Sequence, residues 1–261
     1  MLDDLYAGAL SDAEQRLEIT SLAELARIAD EQPAPLDAIS FLSGGNSINV
    51  IAEIKRASPS KGFLAEISDP AELAVSYESN GAAAISVLTE ERKFKGSLKD
   101  LAEVRKAVRV PVLRKDFIAL EQQVLEARAI GADIVLLIVA GLDQATLQHL
   151  VRFVESFGMT AFVETHNRDE VLRAIDTGAN LIGINARDLS TFDTDRELFA
   201  TLADLLPRDA VAVAESAVRD VTDVVAYAAA GADCVLVGEA LVTGDAGALL
   251  SEFISIPKIR L

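Results

Sequence analysis

Gly131-Ala132-Asp133-Ile134-Val135-Leu136-Leu137-Ile138-Val139 couples a small-residue turn to an unbroken apolar run. Such a run, with no polar alternation, suits a strand buried on both faces, as in a parallel sheet covered by helices. The glycine takes the left-handed position that ends a helix and sends the chain into the strand. The same turn recurs as Gly81-Ala82-Ala83, Gly178-Ala179-Asn180 and Gly231-Ala232-Asp233, roughly every fifty residues, each just before an apolar run. A period of about fifty residues spans two βα units, so four copies imply eight. Eight units favour a closed (β/α)8 TIM barrel, of class α/β, over an open doubly wound sheet. No G-x-G-x-x-G fingerprint follows any strand, which weighs further against the open sheet.

Outward from that stretch, the runs are Val50–Ile54, Ala83–Leu88, Pro111–Leu113, Ile134–Val139, Thr160–Val163, Leu181–Ile184, Ala210–Ala214 and Cys234–Val237. Helical periodicity fills the intervals. Leu120–Ile130 places Leu120, Val124, Leu125 and Ala127 on one side, and Leu147–Phe157 does so with Leu147, Leu150, Val151 and Val154. Ahead of the first strand, Leu17–Ile28 reads as one amphipathic helix, followed by Pro33 and Pro35. Residues 1–47 are therefore expected to form an N-terminal helical extension packed on the barrel. No Pro/Gly-rich or polar stretch divides the 261 residues, so residues 1–261 read as one domain.

The formal net charge of −17 repels phosphate backbones and anionic lipid, so neither nucleic acid nor membrane is an expected partner. A small anionic substrate would need a local cluster of cations and backbone N–H groups. The lone cysteine, Cys234, sits in an apolar run and reads as a small buried hydrophobe. The two histidines, His149 and His166, have no partner at ligand spacing, so no metal is expected. The acidic N-terminus lacks a basic and apolar leader, and no apolar run reaches about 18 residues, so a cytoplasmic enzyme is expected.

In this fold the chemistry lies at the C-terminal ends of the strands. Glu53 and Lys55 are two apart at the end of the first strand, so they share a face, the barrel interior if Val50, Ala52 and Ile54 face the helices. Lys115 and Glu164 end two further strands. Any one of these could be half of a structural ion pair. Four ionisable groups converging on one mouth are costly as scaffold alone. The last two units, Glu215-Ser216-Ala217 and Val237-Gly238-Glu239-Ala240, occupy the usual phosphate-binding positions of the barrel. There Ser216 offers a hydroxyl, and Gly238 allows backbone N–H groups to approach an anion.

The blocks Ile51-Ala52-Glu53-Ile54-Lys55-Arg56-Ala57-Ser58-Pro59-Ser60-Lys61-Gly62, Leu113-Arg114-Lys115-Asp116-Phe117-Ile118 and Gly183-Ile184-Asn185-Ala186-Arg187-Asp188-Leu189 resemble those of indole-3-glycerol-phosphate synthases, of the monofunctional bacterial kind. The resemblance runs in order through Val87-Leu88-Thr89-Glu90, Phe94-Lys95-Gly96-Ser97, Val163-Glu164 and Ala214-Glu215-Ser216. It implies a cofactor-free lyase of tryptophan biosynthesis. The implied reaction is ring closure, decarboxylation and dehydration of 1-(2-carboxyphenylamino)-1-deoxyribulose 5-phosphate. It further implies Lys115 as general acid and Lys55 on the anthranilate carboxylate. Glu164 and Glu53 would supply carboxylates for the later proton transfers, with the base unassigned, and Asn185 would orient them. By the same resemblance Phe94, Phe117, Leu136, Leu189 and Leu236 line the aromatic pocket. Arg187 and Ser58 lie near the substrate, and Ser216, Ala217, Gly238 and Glu239 cradle the phosphate. The loop Arg56–Phe63 could close over the site.

Two departures from the family pattern stand out. Ala217 replaces the usual glycine, which costs about 1 kcal/mol if φ is positive. Glu239 puts a carboxylate beside the phosphate, tolerable only if the side chain turns away. A phosphoribosylanthranilate isomerase-like barrel would need a Cys/Asp pair, and Cys234 lies inside strand eight. A non-catalytic barrel binding an anionic metabolite is the other alternative, disfavoured by so many ionisable groups in one pocket. The protein is expected to act on its small sugar-phosphate substrate as a monomer.

Overall fold

The computed structural model describes residues 2–188, 191 and 193–259. Eight strands, β1 (Asn49–Ile54), β2 (Ala84–Leu88), β3 (Val112–Lys115), β4 (Ile134–Ile138), β5 (Thr160–Thr165), β6 (Leu181–Asn185), β7 (Val211–Glu215) and β8 (Cys234–Val237), close into one parallel barrel. Closure is made by β1, which sets Ile51 opposite Ala84 of β2 and Ala52 opposite Val237 of β8. Helices between the strands cover the outside. They are α4 (Pro70–Ser79), α5 (Leu98–Ala107), α6 (Glu121–Ala129), α7 (Gln144–Ser156), α8 (Arg168–Ile175), α9 (Leu198–Leu202) and α10 (Val221–Ala229), with α11 (Glu239–Thr243) and α12 (Ala246–Phe253) after β8. This is the (β/α)8 TIM barrel expected from the sequence.

Polar residues punctuate the helix starts. Asp69, Ser97, Asp143 and Asn167 each accept an N–H from the residue three on, contributing about 1 kcal/mol apiece. The Gly-Ala turns do what the repeat implies. Gly81, Gly131, Gly178 and Gly231 all have φ between +79° and +95°, and they precede β2, β4, β6 and β8. The repeat therefore marks every second strand. Two of its aspartates work at this lower mouth. Asp133 accepts N–H groups from Leu36 and Val112, both at 2.8 Å, and the Arg105 guanidinium. Asp233 accepts the N–H of Ala212 at 3.1 Å.

The residues ahead of the barrel differ from the single helix expected. They form α1 (Leu2–Leu17), α2 (Leu22–Glu31) and α3 (Ala38–Ser43). The break falls where the Ser21 side chain accepts the Glu24 N–H and starts a new helix. This extension lies over α6, which explains a second difference. Leu120 is not on a core face; it is the exposed N-cap of α6. The outer face of α6 is polar yet buried, because Arg16 of α1 grips Glu126 with two bonds of 2.8 Å, and Arg128 donates to the Gln32 and Pro33 carbonyls. In α7, Leu147, Leu150, Val151 and Val154 are buried as their spacing predicts.

Candidate active site

Strand parity aims the site. Val50, Ala52 and Ile54 pack outward among the helices, which leaves Glu53 and Lys55 facing the barrel axis. Several strands run further than their apolar runs, so Lys115, Glu164, Asn185 and Glu215 are the terminal or near-terminal residues of β3, β5, β6 and β7. They meet in a cavity of about 770 Å³ at the upper mouth.

Lys115 is the centre of this cluster. Its Nζ lies 3.0 Å from Glu164 Oε2 and 2.8 Å from Glu215 Oε2. Burial alone would depress the ammonium, but Glu164, Glu215 and Glu53 more than offset it and raise its proton affinity. Glu164 is buried, yet Lys115, His166 and Asn185 hold it well below the usual carboxylate range. Glu215 moves the other way, pushed up by burial and by the charge of Glu164. Two carboxylates on one lysine thus have opposite tendencies, a pattern that separates proton-holding from charge-holding roles. Asn185 donates to Glu164 Oε1 at 3.0 Å and accepts the Arg187 N–H at 3.0 Å, so its amide is fixed at both ends. A second pair, Lys55 Nζ to Glu53 Oε1 at 2.7 Å, stands beside the first.

Two glycines make room for these groups. A Cβ on Gly183 would overlap Glu215 Oε1 and sit 2.8 Å from the Phe162 ring. A Cβ on Gly238 would sit 2.5 Å from Glu53 Oε1 and 3.1 Å from Lys55 Nζ. Gly238 has φ of −122°, so space rather than backbone conformation excludes a side chain there.

The apolar wall comes from β4, β8 and two loops. Leu136, Leu236, Phe94 and Phe117 line the cavity, and the Phe94 and Phe117 rings lie 6.2 Å apart. Phe94 is presented by a tight turn in which Glu90 accepts the N–H groups of Arg92, Lys93 and Phe94. Tyr6 of α1 abuts Phe117 edge-on at 5.6 Å, and Leu5 reaches the cavity. Leu189 falls outside the described residues.

At the β7 and β8 ends, Ser216, Ala217, Gly238 and Glu239 line the same cavity. Ser216 and Ala217 are consecutive left-handed residues, with φ of 66° and 63°. Alanine therefore stands in the strained conformation, costing about 1–2 kcal/mol. Glu239 is half-exposed and meets Lys61 at 3.4 Å. Lys61 lies in a short antiparallel clip, Ala57–Ser58 with Gly62–Phe63, that overhangs the mouth. Ser58 lines the cavity beneath that clip, and Arg187 reaches Ser60 Oγ at 3.2 Å. Arg196 and Arg219 line the cavity as well, so cations gather here despite the acidic surface. Among the described residues no group of three or more His, Cys, Asp or Glu is arranged to hold a metal ion. Cys234 lies at the opposite end, its Sγ bonded to the Leu42 carbonyl at 3.1 Å.

A profile of the family described as "Indole-3-glycerol phosphate synthase" matches residues 2–252. The chain belongs to the indole-3-glycerol phosphate synthase family. A synthase of that name from Leifsonia xyli subsp. xyli is 58% identical over 253 residues, covering 97% of each chain. One from Mycolicibacterium gilvum is 54% identical over 256 residues, covering 98% of this chain and 94% of its own. Among solved structures, an N-acetylmannosamine-6-phosphate 2-epimerase from Clostridium perfringens superposes with a TM-score of 0.63 at 14% identity, over 83% of this chain and 95% of its own. A likeness that distant speaks to the barrel alone.

Sequence reasoning for this synthase family member found Glu53, Lys55, Lys115, Glu164 and Asn185, and the structure brings all five together. It passed over Glu215, read only as the flank of a phosphate loop. The missed signal was parity: Val211, Val213 and Glu215 share a face of β7. It also missed Arg196, Arg219, Lys61 and Leu5, which loops and α1 bring in from distant segments.

Proposed function

We propose that the protein converts 1-(2-carboxyphenylamino)-1-deoxyribulose 5-phosphate to indole-3-glycerol phosphate, carbon dioxide and water, with the residues of the upper mouth as its acids and bases. The observation that carries this reading is Lys115, a half-buried ammonium held between Glu164 and Glu215 and facing a cavity with an aromatic-lined side and a cationic side.

The steps follow from charge. The ring carbon bearing the carboxylate attacks the ketone, and Lys115 gives its proton to the ketone oxygen as charge develops there. The bond to the carboxylate then breaks, carbon dioxide leaves, and its electron pair quenches the positive nitrogen. The new hydroxyl departs as water with a second proton, from Lys55, and a carboxylate removes one proton from the neighbouring CH2. Two protons are delivered and one recovered, which balances the loss of an ionised carboxylate as carbon dioxide. Glu53 Oε2 and Glu215 Oε1 have no hydrogen-bond partner among the described residues, whereas both oxygens of Glu164 are engaged. The base is therefore Glu53 or Glu215, and Glu164 stabilises cationic intermediates and holds Lys115. Phe94, Phe117, Leu136 and Leu236 grip the aromatic ring. Ser216, Ala217, Gly238 and Glu239 offer backbone N–H groups to the phosphate, with Arg187 and Ser58 nearby. We also read the protein as a monomer, since one chain supplies the ionisable groups of the site among the described residues, and as cytoplasmic from its biosynthetic family.

The test is growth of indole fluorescence on adding the substrate. Wild type produces it, and Lys115→Ala loses about 10²–10⁴-fold in kcat. A folded wild type with no product sinks the reading.

A further inference from the structure

His166 takes no part in the scheme above and does not line the cavity, yet it packs, 9% exposed at the side chain, against the cluster. One residue past β5, it shares the inward face with Glu164. Its Nε2 lies 3.2 Å from Glu164 Oε1, and its Nδ1 lies 3.0 Å from Glu170 Oε2 of α8. Glu170 is in turn fixed by the His166 N–H at 2.8 Å and by Asn167 Nδ2 at 2.7 Å. A neutral imidazole has one donor nitrogen and one acceptor nitrogen. Between two carboxylates, a neutral ring would set a lone pair against a carboxylate oxygen. The Nδ1 contact is a hydrogen bond, whereas Nε2 has no hydrogen-bond partner among the described residues; its approach to Glu164 is a contact of charge, which only the imidazolium makes favourable.

We propose that His166 is a positioning residue, held as an imidazolium between Glu164 and Glu170, which offsets the charge of Glu164 and keeps the Lys115 proton transferable. This rests on the proposed role of Lys115 as the acid. The charge argument is short. Lys115 faces the negative charge of Glu164, Glu215 and Glu53, each of which makes its proton harder to release. A cation on the far side of Glu164 draws that charge away from Lys115. Asn185, on the same oxygen of Glu164, supplies a hydrogen bond without charge and cannot do this. Burial opposes the imidazolium, but Glu164 and Glu170 more than compensate and lift it to about 10. A histidine raised in this way contributes stability that is full below its ordinary value and is lost as pH rises through the raised one.

The test has two independent readouts. Nitrogen-15 NMR of the ring reports its protonation without reference to activity. Both ring nitrogens of His166 are expected to carry protons at about pH 8, well above the ordinary histidine value. A single protonated nitrogen at that pH overturns the proposal. In turnover, His166→Gln keeps a donor but removes the charge. It is expected to lower kcat about tenfold or more, leave KM within about twofold, and erase the wild-type loss of kcat/KM near pH 10. An unchanged kcat overturns the proposal. Should His166→Gln fail to fold, Glu170→Gln removes the outer carboxylate instead. The ring is then expected to lose its proton at lower pH, with the alkaline loss of activity moving down in step. A ring that titrates unchanged overturns the proposal. An inactive wild type counts against the proposed function, while the NMR result still decides the charge of the ring.

Discussion

The two mouths of this barrel both bury charge, but they satisfy it differently. At the lower mouth, Asp133 accepts two backbone N–H groups and an arginine that is itself tied to the Val108 and Val110 carbonyls, so both of its oxygens are engaged by scaffold groups. At the upper mouth, Glu53, Glu215, Lys55 and Lys115 lean on one another, and Glu53 and Glu215 each keep a buried oxygen with no partner among the described residues. A saturated buried charge belongs to the scaffold; an under-satisfied cluster in a cavity belongs to chemistry. Residue type does not separate the two cases, because both are Asp or Glu beside Lys or Arg.

Substitutions at each mouth put that contrast at risk. After Lys115→Ala, the largest effect is expected from Glu215→Gln, which should lower kcat by about 10²–10³-fold while the fold holds. Its stability should also diverge from wild type with pH. Glu215 is raised in the folded state, so it favours folding at low pH, and this advantage disappears as pH rises above the ordinary carboxylate range. Thermal melts of the two proteins should therefore show the variant gaining on wild type toward alkaline pH. A constant difference would mean that Glu215 is not held up.

The lower mouth should answer in the opposite currency. Asp133→Ala strands two N–H donors and a guanidinium, so it should cost about 2–3 kcal/mol in denaturant titration. Its kcat, measured where the protein is folded, should match wild type. A drop in kcat comparable with that of Glu215→Gln would erase the distinction between the mouths.

Gly238→Ala should be milder. Its new methyl displaces the Glu53 carboxylate from Lys55, and about a tenfold loss of kcat/KM is expected. Full activity would show that this pair tolerates displacement. Ala217→Gly should have the smallest effect and a favourable one. Removing the left-handed alanine should add about 1 kcal/mol of stability by thermal melt. A loss of stability would mean that the flexibility glycine adds to the unfolded chain outweighs the strain relieved.

Much of this was legible in the residues. Unbroken runs such as Ile134–Val139 and the recurring Gly-Ala turns carry the barrel, because buried parallel strands and left-handed helix ends demand those residues locally. Glu53 and Lys55 were legible through parity, since a charge two residues from another on a buried strand has few places to point. Glu215 obeys the same rule but stood next to a plausible phosphate loop, and the nearer motif drew the reading. Leu120 and the polar face of α6 were illegible for a different reason. That face is buried only because α1 and α2 return to cover it, and no local pattern records a contact more than a hundred residues away in the chain.

The Gly-Ala repeat marks even-numbered strands, and the site divides along the same line. Every ionisable group of the cluster rides on an odd strand: Glu53 and Lys55 on or just past β1, Lys115 on β3, Glu164 on β5 and Glu215 on β7. The even strands bring Leu88, Leu136, Asn185 and Leu236, none of them charged. Among the strand residues, the proton-carrying groups and the leucines that shape the pocket thus sit on separate, interleaved strands, and Phe94 and Phe117 complete the wall from loops. A different aromatic ring is accommodated by repacking Leu88, Leu136 and Leu236, with Asn185 and the acids and bases left where they stand.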